Sequence, residues 1–294
     1  MRILLIEKNG QLGWELQRSS LTLGEIISVD YPEIDLSNSM QVCELIRAVK
    51  PKILINAAAY TNVDKAESEP ELARKVNALA PEIMALEMNR LKGALIHYST
   101  DYVFDGTKGT SYVETDLPNP INVYGSSKLE GEQLIQQVGG ASIVFRTSCV
   151  YSMRQGGFVT KVLQWAREQE VMKIVDDQIG SPTWARMLAE ATTQIIAQGG
   201  DDVYGYFSEK AGLFHLAGNG SCSRYDWAKA ILELDPKKNE LVVKELLTAK
   251  TSDFSTPAVR PLFSSLDCTK IIANNLCFIP DYKNTLAFAL NCNS

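Results

Sequence analysis

The fold is decided by residues 2–13, which read RILLIEKNGQLG. Arg2–Ile6 contains four consecutive apolar residues, which predict a strand buried on both faces. Gly10 and Gly13 follow it, and Gln11–Ser20 then repeats its apolar residues with the period of a helix. A strand, a glycine turn and a helix in this order are typical of a dinucleotide-binding unit, in which the helix N-terminus faces the pyrophosphate.

The glycine motif is incomplete, because Glu7 stands where the first of the usual three glycines is expected. Gly10-x-x-Gly13 by itself is equally typical of a plain turn before a helix. Asp30 favours the cofactor interpretation. It lies at the predicted end of the next strand, 17 residues beyond Gly13, where its carboxylate can accept hydrogen bonds from an adenosine ribose. The alternative is that Asp30 is a turn residue before Pro32.

The rest of the first half alternates short buried strands with amphipathic helices. The predicted strands are Glu25–Asp30, Lys52–Asn56, Gly93–Ser99 and Ala141–Val150, and the predicted helices are Ser39–Val49, Pro70–Leu91 and Tyr124–Gln137. Such alternation is typical of βαβ units. It predicts an α/β fold with a Rossmann-type, doubly wound parallel sheet that helices cover on both faces.

The second half is less regular. It contains two predicted helices, a short strand that can rejoin the sheet, and three small elements; these are Phe158–Glu168, Ala185–Gln198, Phe214–Ala217, Tyr225–Leu234, Leu241–Thr248 and Lys283–Leu290. We therefore predict two domains. Residues 1–151 and about 184–217 form the nucleotide-binding domain, and about 152–183 with 218–294 form a smaller, discontinuous C-terminal substrate lobe.

Composition excludes several classes of protein. The 294 residues are 45% apolar and 22% charged with a net charge of −6, as in an ordinary soluble globular protein. No stretch approaches the roughly 18 apolar residues of a membrane span, and no basic block is interleaved with aromatics, so we expect neither membrane nor nucleic-acid partners. The scattered cysteines and the lack of a secretory signal predict reduced thiols and a cytoplasmic location.

Tyr124 and Lys128 form the most informative pair for chemistry. Their i, i+4 spacing places both side chains on one helix face. A nearby ammonium lowers the pKa of a tyrosine, which makes the phenol a usable proton shuttle. Tyr-x-x-x-Lys also occurs by chance, but Thr100 lies 24 residues upstream, directly after a predicted strand. Its hydroxyl can hydrogen-bond the substrate oxygen that Tyr124 protonates.

These features, in this order, resemble the extended short-chain dehydrogenase/reductases. Longer strings are similar to those of the dTDP-4-dehydrorhamnose reductase family, from about residue 2 to about residue 290. The strings are GQLGWEL (10–16), NAAAYTNVDKAE (56–67), STDYVFDG (99–106), NVYGSSK (122–128), RTS (146–148), DQIGSPT (177–183) and TPAVRP (256–261).

The resemblance implies reduction of the C4 ketone of a dTDP-linked 6-deoxy-4-ketohexose with NADPH or NADH, without a metal. Tyr124 is then the proton donor, and Lys128 lowers its pKa and binds the nicotinamide ribose. Thr100 orients the ketone, with Asp101 beside it. These roles come from the family and from the matching positions in this sequence.

The resemblance also implies a cofactor site and a substrate site. The cofactor residues contact the pyrophosphate, hold the adenosine end or line the nicotinamide cleft; they are Gly10, Gln11, Leu12, Gly13, Asp30, Asp35, Leu36, Ala59, Tyr60, Thr61, Tyr98, Tyr124 and Lys128. The substrate residues are Val63, Thr100, Asp101, Cys149 and Arg260.

The chain departs from the family pattern at several positions. Glu7 replaces a glycine, so either its carboxylate turns to solvent or cofactor affinity suffers. Cys149 stands where the family usually has tryptophan near the sugar, Gly156-Gly157-Phe158 replaces Asn-Phe, and Phe263 replaces an asparagine. Most of these changes face the substrate, so a related nucleotide 4-ketosugar stays open as the substrate.

Three alternatives to a reductase were considered. A dehydratase is disfavoured because Tyr102 follows Thr100-Asp101 in place of the acid that elimination needs. An epimerase, or a non-catalytic regulatory subunit like that of mammalian methionine adenosyltransferase, stays open.

Family members form homodimers around a magnesium ion held by glutamates. Glu15 is in place but Arg186 stands at a later glutamate position, so a homodimer is open and a metal is not expected.

Overall fold

The computed structural model describes residues 1–154 and 156–292, so residues 293–294 of the predicted substrate lobe lie outside the described residues. The strands are β1 (Arg2–Ile6), β2 (Glu25–Val29), β3 (Ile53–Asn56), β4 (Ala94–Thr100), β5 (Ser142–Thr147), β6 (Val150–Tyr151), β7 (Val171–Val175), β8 (Ile179–Gly180), β9 (Thr183–Trp184), β10 (Gly212–His215), β11 (Cys222–Ser223) and β12 (Glu245–Ala249).

The helices are α1 (Gln11–Ser19), α2 (Ser39–Val49), α3 (Val63–Ala66), α4 (Pro70–Arg74), α5 (Ala80–Arg90), α6 (Val123–Val138), α7 (Phe158–Glu168), α8 (Ala185–Gln198), α9 (Val203–Glu209), α10 (Arg224–Leu234), α11 (Thr269–Ala273) and α12 (Tyr282–Asn291). Among the described residues, no helix is both long and apolar enough to cross a membrane.

Six parallel strands form the central sheet in the order β2-β1-β3-β4-β5-β10. The chain leaves β1 toward one edge to make β2 and then returns to the other side of β1 to make β3. A crevice opens at the carboxyl ends of strands where the chain reverses in this way, and ligands of α/β proteins bind there. The predicted Rossmann-type sheet is therefore confirmed, including the late strand that rejoins it as β10.

Helices cover both faces of the sheet, and β1 shows why its sequence is continuously apolar. Ile3 and Leu5 are buried in one cluster with residues of α1 and α8. Leu4 and Ile6 are buried in a second cluster with residues of α2, α5 and α6. Successive side chains of a strand point to opposite faces, so a strand between two helical layers needs apolar residues at every position.

Two predicted elements differ from the structure. The predicted helix Pro70–Leu91 consists of α4, a π-helical segment Lys75–Leu79 and α5. The predicted strand Ala141–Val150 is confirmed over β5 but extends too far, because β5 ends at Thr147 and β6 starts at Val150 and pairs with β9 instead. Cys149 has φ of +47°, and a residue in the left-handed region cannot continue an extended strand.

A third buried cluster lies outside the sheet. This lobe cluster is built from α7, β7, α10 and α12, and its buried members include Tyr151, Val162, Met172, Trp227 and Leu286. Trp227 is 2% exposed, in keeping with a packing role. The separate cluster supports the two-domain division predicted from the sequence, which we retain as a proposal.

The turn between β1 and α1 depends on a close backbone contact at Gly13. A Cβ on Gly13 would lie 1.7 Å from the carbonyl oxygen of Glu7 and 2.7 Å from its carbonyl carbon. Both are backbone atoms that cannot rotate away. The glycine is therefore required for the helix to pack against the end of the strand, as in dinucleotide-binding turns.

We expect Gly13→Ala to destabilise the protein by about 3 kcal/mol or more, because the added methyl group forces the backbone apart. Urea unfolding measures the change. Gly156→Ala is the matched control, since a Cβ there meets nothing within 4 Å; its stability should stay within about 0.5 kcal/mol of the parent. Equal stability of the two variants would contradict the close contact.

Candidate active site

The first residues of α6 are fixed by a cap and by a close contact. Asn122 accepts a hydrogen bond from the amide of Gly125 at 2.7 Å and donates one to the carbonyl of Val259 at 2.8 Å. A Cβ on Gly125 would lie 2.1 Å from the carbonyl oxygen of Tyr102. These contacts place Tyr124 in the crevice, where its ring meets that of Tyr102 edge to face.

Lys128 lies one helical turn further on and is buried. Its ammonium donates to the carbonyl of Tyr98 at 2.6 Å and lies 3.2 Å from Nε2 of His97. Nδ1 of His97 lies 3.0 Å from the side-chain nitrogen of Asn56. Burial lowers the pKa of Lys128 to about 8, although Glu132 and Glu7 oppose the change.

Asn56 and His97 form a chain of contacts to Lys128 that the sequence analysis missed. His97 is buried and has hydrogen-bond partners on both ring nitrogens, Asn56 and Lys128. Asn56 and His97 are direct partners on the adjacent strands β3 and β4. Polar residues at one register of two buried strands are a signal that could have been used, because buried polar groups require partners.

Thr100 and Asp101 follow β4 and are buried. Thr100 donates to one carboxyl oxygen of Asp101 at 3.2 Å. Ser148 and Ser264 donate to the other carboxyl oxygen at 2.8 Å and 2.5 Å. Burial raises the pKa of Asp101, and these hydrogen bonds oppose the rise. Asp101 therefore holds Thr100 in place, and the two serines were not predicted.

The pKa of Tyr124 is raised above its ordinary value by burial, and its interaction with Thr100 opposes the rise. The sequence predicted that Lys128 would lower this pKa. In the structure the largest effect on this pKa is desolvation of the phenolate, and the effect of Lys128 stays a prediction. The phenol keeps its proton at neutral pH, which is the state that a proton donor needs.

The turn before α1 contains the predicted pyrophosphate residues. Gly10 is the N-cap of α1, and Leu12 and Gly13 are buried inside its first turn. Gln11 faces the other way, since its side chain accepts a hydrogen bond from the amide of Ser152 at 2.7 Å. The side chains of Gly10 to Gly13 therefore leave the helix N-terminus uncovered, as an anion site requires, but the Glu7 side chain lies over it.

Asp30 and Glu7 have positions that the sequence left open. The Asp30 carboxylate accepts hydrogen bonds from the amides of Asn9 at 2.9 Å and Tyr31 at 2.8 Å. It therefore fixes the glycine turn, and carboxylate oxygens have further lone pairs for a ribose. For Glu7, the sequence suggested either a carboxylate turned to solvent or a weakened cofactor affinity. The structure instead shows the Glu7 carboxyl folded over Gly10.

The remaining predicted cofactor residues differ in the contacts that they make. Asp35 closes a turn by accepting from the amide and hydroxyl of Ser37, Leu36 packs against the sheet, and Ala59 and Thr61 flank Tyr60 along the chain. The Tyr60 hydroxyl donates to Glu69 at 2.6 Å.

The Tyr98 side chain points elsewhere. Its hydroxyl lies 2.5 Å from that of Thr192 in α8, and the side chain is buried in the cluster with α1 and α8. Toward Lys128 it presents its carbonyl. Tyr98 therefore contributes to the predicted site through its backbone carbonyl and not through its side chain.

The other predicted substrate residues are Val63, Cys149 and Arg260. Arg260 donates to Asp64 at 2.7 Å and to the carbonyl of Ala258 at 3.0 Å. It thus ties the late TPAVRP string to α3, next to Val63. Cys149 lies at the break after β5, and burial raises the pKa of its thiol. A low-reactivity thiol agrees with a packing role.

Arg224, the first residue of α10, was missed by the sequence analysis. Its guanidinium lies 5.0 Å from the ring centre of Phe158 and 5.7 Å from that of Trp227. Its charge acts on Cys149, Tyr102 and Asp101, so it faces the site. Within the described part of the chain, no carboxylate forms an ion pair with it. No motif marks this residue, because only the folded chain brings α10 to the crevice.

These residues fit a dinucleotide at the crevice, with one exception. The glycine turn lies at a helix N-terminus, Asp30 follows β2, and the buried Lys128 ammonium bonds the carbonyl of Tyr98 in β4. The exception is the Glu7 carboxyl over Gly10. Residues 1–154 and 156–292 contain no group of three or more His, Cys, Asp and Glu side chains that could hold a metal ion.

Comparisons with known proteins agree with this geometry. A family model described as the RmlD substrate binding domain matches residues 1–293. The dTDP-4-dehydrorhamnose reductase of Escherichia coli K12 is 40% identical, covering 99% of this chain and 97% of that protein.

Solved structures are equally similar. The dTDP-4-dehydrorhamnose reductase of Clostridium acetobutylicum superposes with a TM-score of 0.90 at 31% identity, over 100% of this chain and 99% of that one. The Bacillus anthracis reductase, solved in complex with NADP, gives 0.88 at 31% identity, over 99% and 98%. On this match of sequence and fold along almost its whole length, the chain belongs to the dTDP-4-dehydrorhamnose reductase family.

Proposed function

We propose that the protein is an NAD(P)H-dependent oxidoreductase that converts dTDP-4-dehydro-L-rhamnose to dTDP-L-rhamnose by reducing the C4 ketone. One observation carries the proposal: Tyr124 interacts with Thr100 at the end of β4, and Lys128, one helical turn after Tyr124, bonds the carbonyl of Tyr98 in the same strand. The relatives named as reductases of this ketosugar support the substrate, and the NADP complex of the B. anthracis enzyme supports the cofactor.

The chain supplies the proton and holds the ketone. When bound, the nicotinamide supplies a hydride to C4. The phenolic proton of Tyr124 passes to the ketone oxygen as negative charge develops there, which completes the alcohol. To hydrogen-bond the same oxygen, Thr100 turns its single hydroxyl proton from Asp101 to the ketone. The amide of Tyr102, which donates to the threonine oxygen at 3.2 Å, keeps that oxygen in place. The Lys128 ammonium, held by Tyr98 and His97, stabilises the phenolate that remains.

A reductase acting on a related nucleotide 4-ketosugar is the second candidate. The observation that favours it is the electrostatic interaction of Arg224 with Cys149, the residue at which the family pattern has tryptophan. An arginine there favours a sugar that offers oxygen acceptors on this face. The intact Thr100, Tyr124 and Lys128 argue against a non-catalytic subunit, since such a protein has no need for this set.

Assembly and location are part of the same proposal. We propose a homodimer, by analogy with the family, that works in the cytoplasm. The face formed by α1 and α8 carries Glu15, and there Arg186 donates to Glu190 at 2.9 Å. An arginine bound in this way fills the position of a metal-binding glutamate, so the proposed dimer has no metal at its interface.

Tyr124→Phe should reduce kcat by at least about 100-fold, because the general acid is lost. The assay follows the loss of NADPH absorbance with freshly made dTDP-4-dehydro-L-rhamnose, and NADPH binding should persist. Tyr206→Phe is the control, since the Tyr206 hydroxyl donates to Gln198 of α8 and not to a residue of the predicted site. The kcat of this variant should equal that of the parent. A kcat for Tyr124→Phe within tenfold of the parent would refute the assignment.

Arg224→Gln should raise KM for the dTDP-sugar about tenfold or more, since a charge-assisted hydrogen bond to the substrate is lost. The kcat and the NADPH affinity should change little, because Arg224 lies on the substrate side. Arg74→Gln is the matched control, as Arg74 pairs with Glu130 at the surface. An unchanged KM in Arg224→Gln would remove this residue from the substrate site.

A further inference from the structure

Glu7 has the backbone conformation of the glycine that it replaces. Its φ is +80°, in the left-handed region that favours glycine. Its amide donates to the carbonyl of Val29 at 2.9 Å, and its own carbonyl is packed against Gly13. The backbone of this residue is therefore fixed from both sides, and only rotations of the side chain can move the carboxyl.

The Glu7 side chain lies over the start of α1. Its carboxyl carbon and one carboxyl oxygen lie 2.3 Å and 2.4 Å from the point that a Cβ on Gly10 would occupy. Gly10 is the N-cap of α1, and the N-terminus of a helix attracts anions through its free amides and its dipole. The carboxyl therefore occupies the space in which a pyrophosphate would approach this helix.

Two charged groups act on the Glu7 carboxyl, and they have opposite effects. Asp30, beyond the end of β2, raises its pKa, and Lys128 of α6 lowers it. Lys8 of the same turn is engaged elsewhere, because both carboxyl oxygens of Glu33 accept from its ammonium at 2.6–2.7 Å. Among residues 1–154 and 156–292, no group donates a hydrogen bond to the Glu7 carboxyl.

Burial and Asp30 together raise the pKa of Glu7 to about 8. The carboxyl is therefore mostly neutral at pH 7 and mostly ionised at pH 9. Its charge is felt by the catalytic residues, since Glu7 contributes to the pKa values of Lys128 and Tyr124. A bound pyrophosphate would add negative charge beside it and would favour the neutral form further.

We propose that Glu7 couples dinucleotide binding to proton uptake: the dinucleotide binds when the carboxyl is neutral and turned away from Gly10, and the ionised carboxyl competes with the pyrophosphate for the N-terminus of α1. This inference rests on the cofactor assigned in the proposed function. It resolves the departure at Glu7, because a neutral carboxyl at physiological pH does not repel the pyrophosphate.

The test is NADPH affinity, measured by fluorescence titration, of the parent, Glu7→Gln and Glu7→Gly between pH 7 and 9.5. The 2′-phosphate of NADPH is fully ionised over this range. Ionisation of Glu7 alone should weaken NADPH binding by the parent roughly tenfold between pH 7 and pH 9, as the linkage of binding to one proton requires. Glu7→Gln has nearly the same size without the charge, and its affinity should fall less.

Lys128 titrates in the same range, with a pKa of about 8. Deprotonation of Lys128 also weakens NADPH binding. The loss of affinity at high pH that remains in Glu7→Gln therefore measures the contribution of Lys128. The additional loss in the parent measures the contribution of Glu7. Glu7→Gly relieves the left-handed strain and clears the space over Gly10. It should bind NADPH at least as tightly as Glu7→Gln, and it guards against a folding defect in the glutamine variant.

Calorimetry in buffers of different ionisation enthalpy gives an independent measure. At pH 8 the parent should take up about half a proton more than Glu7→Gln on binding NADPH, since about half of the Glu7 carboxyls are ionised there.

Three outcomes are distinguishable. Identical pH profiles and proton uptake in the parent and Glu7→Gln would overturn the coupling. Failure of all three proteins to bind NADPH at any pH would overturn both the coupling and the proposed cofactor. Since no sugar is present in these titrations, a failure of the parent to reduce dTDP-4-dehydro-L-rhamnose would count against the proposed substrate alone.

Discussion

The buried carboxyl of Asp101 is the contact on which the geometry of the site depends. It joins the end of β4 to the end of β5 through Ser148 and to the C-terminal segment through Ser264. A buried carboxyl without partners is costly, so the three hydroxyls that donate to it offset most of the cost of its burial. The same contacts hold Thr100 and bring residues that are 163 positions apart in the chain to the mouth of the crevice.

The sheet provides a second polar network below the first. The Lys128 ammonium has no neighbouring carboxylate as a direct partner among the described residues, and it is held by Tyr98 and His97 within the layer of buried strands. Nearby, Arg146 of β5 pairs with Glu132 of α6, and both side chains are buried. Loss of one partner would leave a buried charge uncompensated, so α6 is locked to the sheet along its length.

The sequence was informative where local pattern and burial agree. The apolar run in β1 and the glycine turn predicted a strand between two helical layers, and the structure confirms both. Side-chain positions that depend on distant partners were not predictable: the break at Cys149, the approach of Arg224 and the two serines on Asp101 each require contacts between remote segments. The sequence showed that Glu7 departs from the family's glycine. Only the fold shows that its backbone keeps the left-handed conformation of that glycine and that its carboxyl covers Gly10.

The π-helical segment Lys75–Leu79 makes one wall of the crevice sensitive to chain length. It holds the buried Asn77, whose side chain bonds the amide of Tyr60 at 2.8 Å and the hydroxyl of Ser127 at 3.0 Å. A π-helical turn contains one residue more than an α-helical turn. Loss of a single residue here would restore regular α-helix and rotate the preceding side chains by roughly 100° about the axis. Insertions and deletions are therefore far less acceptable in this buried helix than in the surface loops of the same chain.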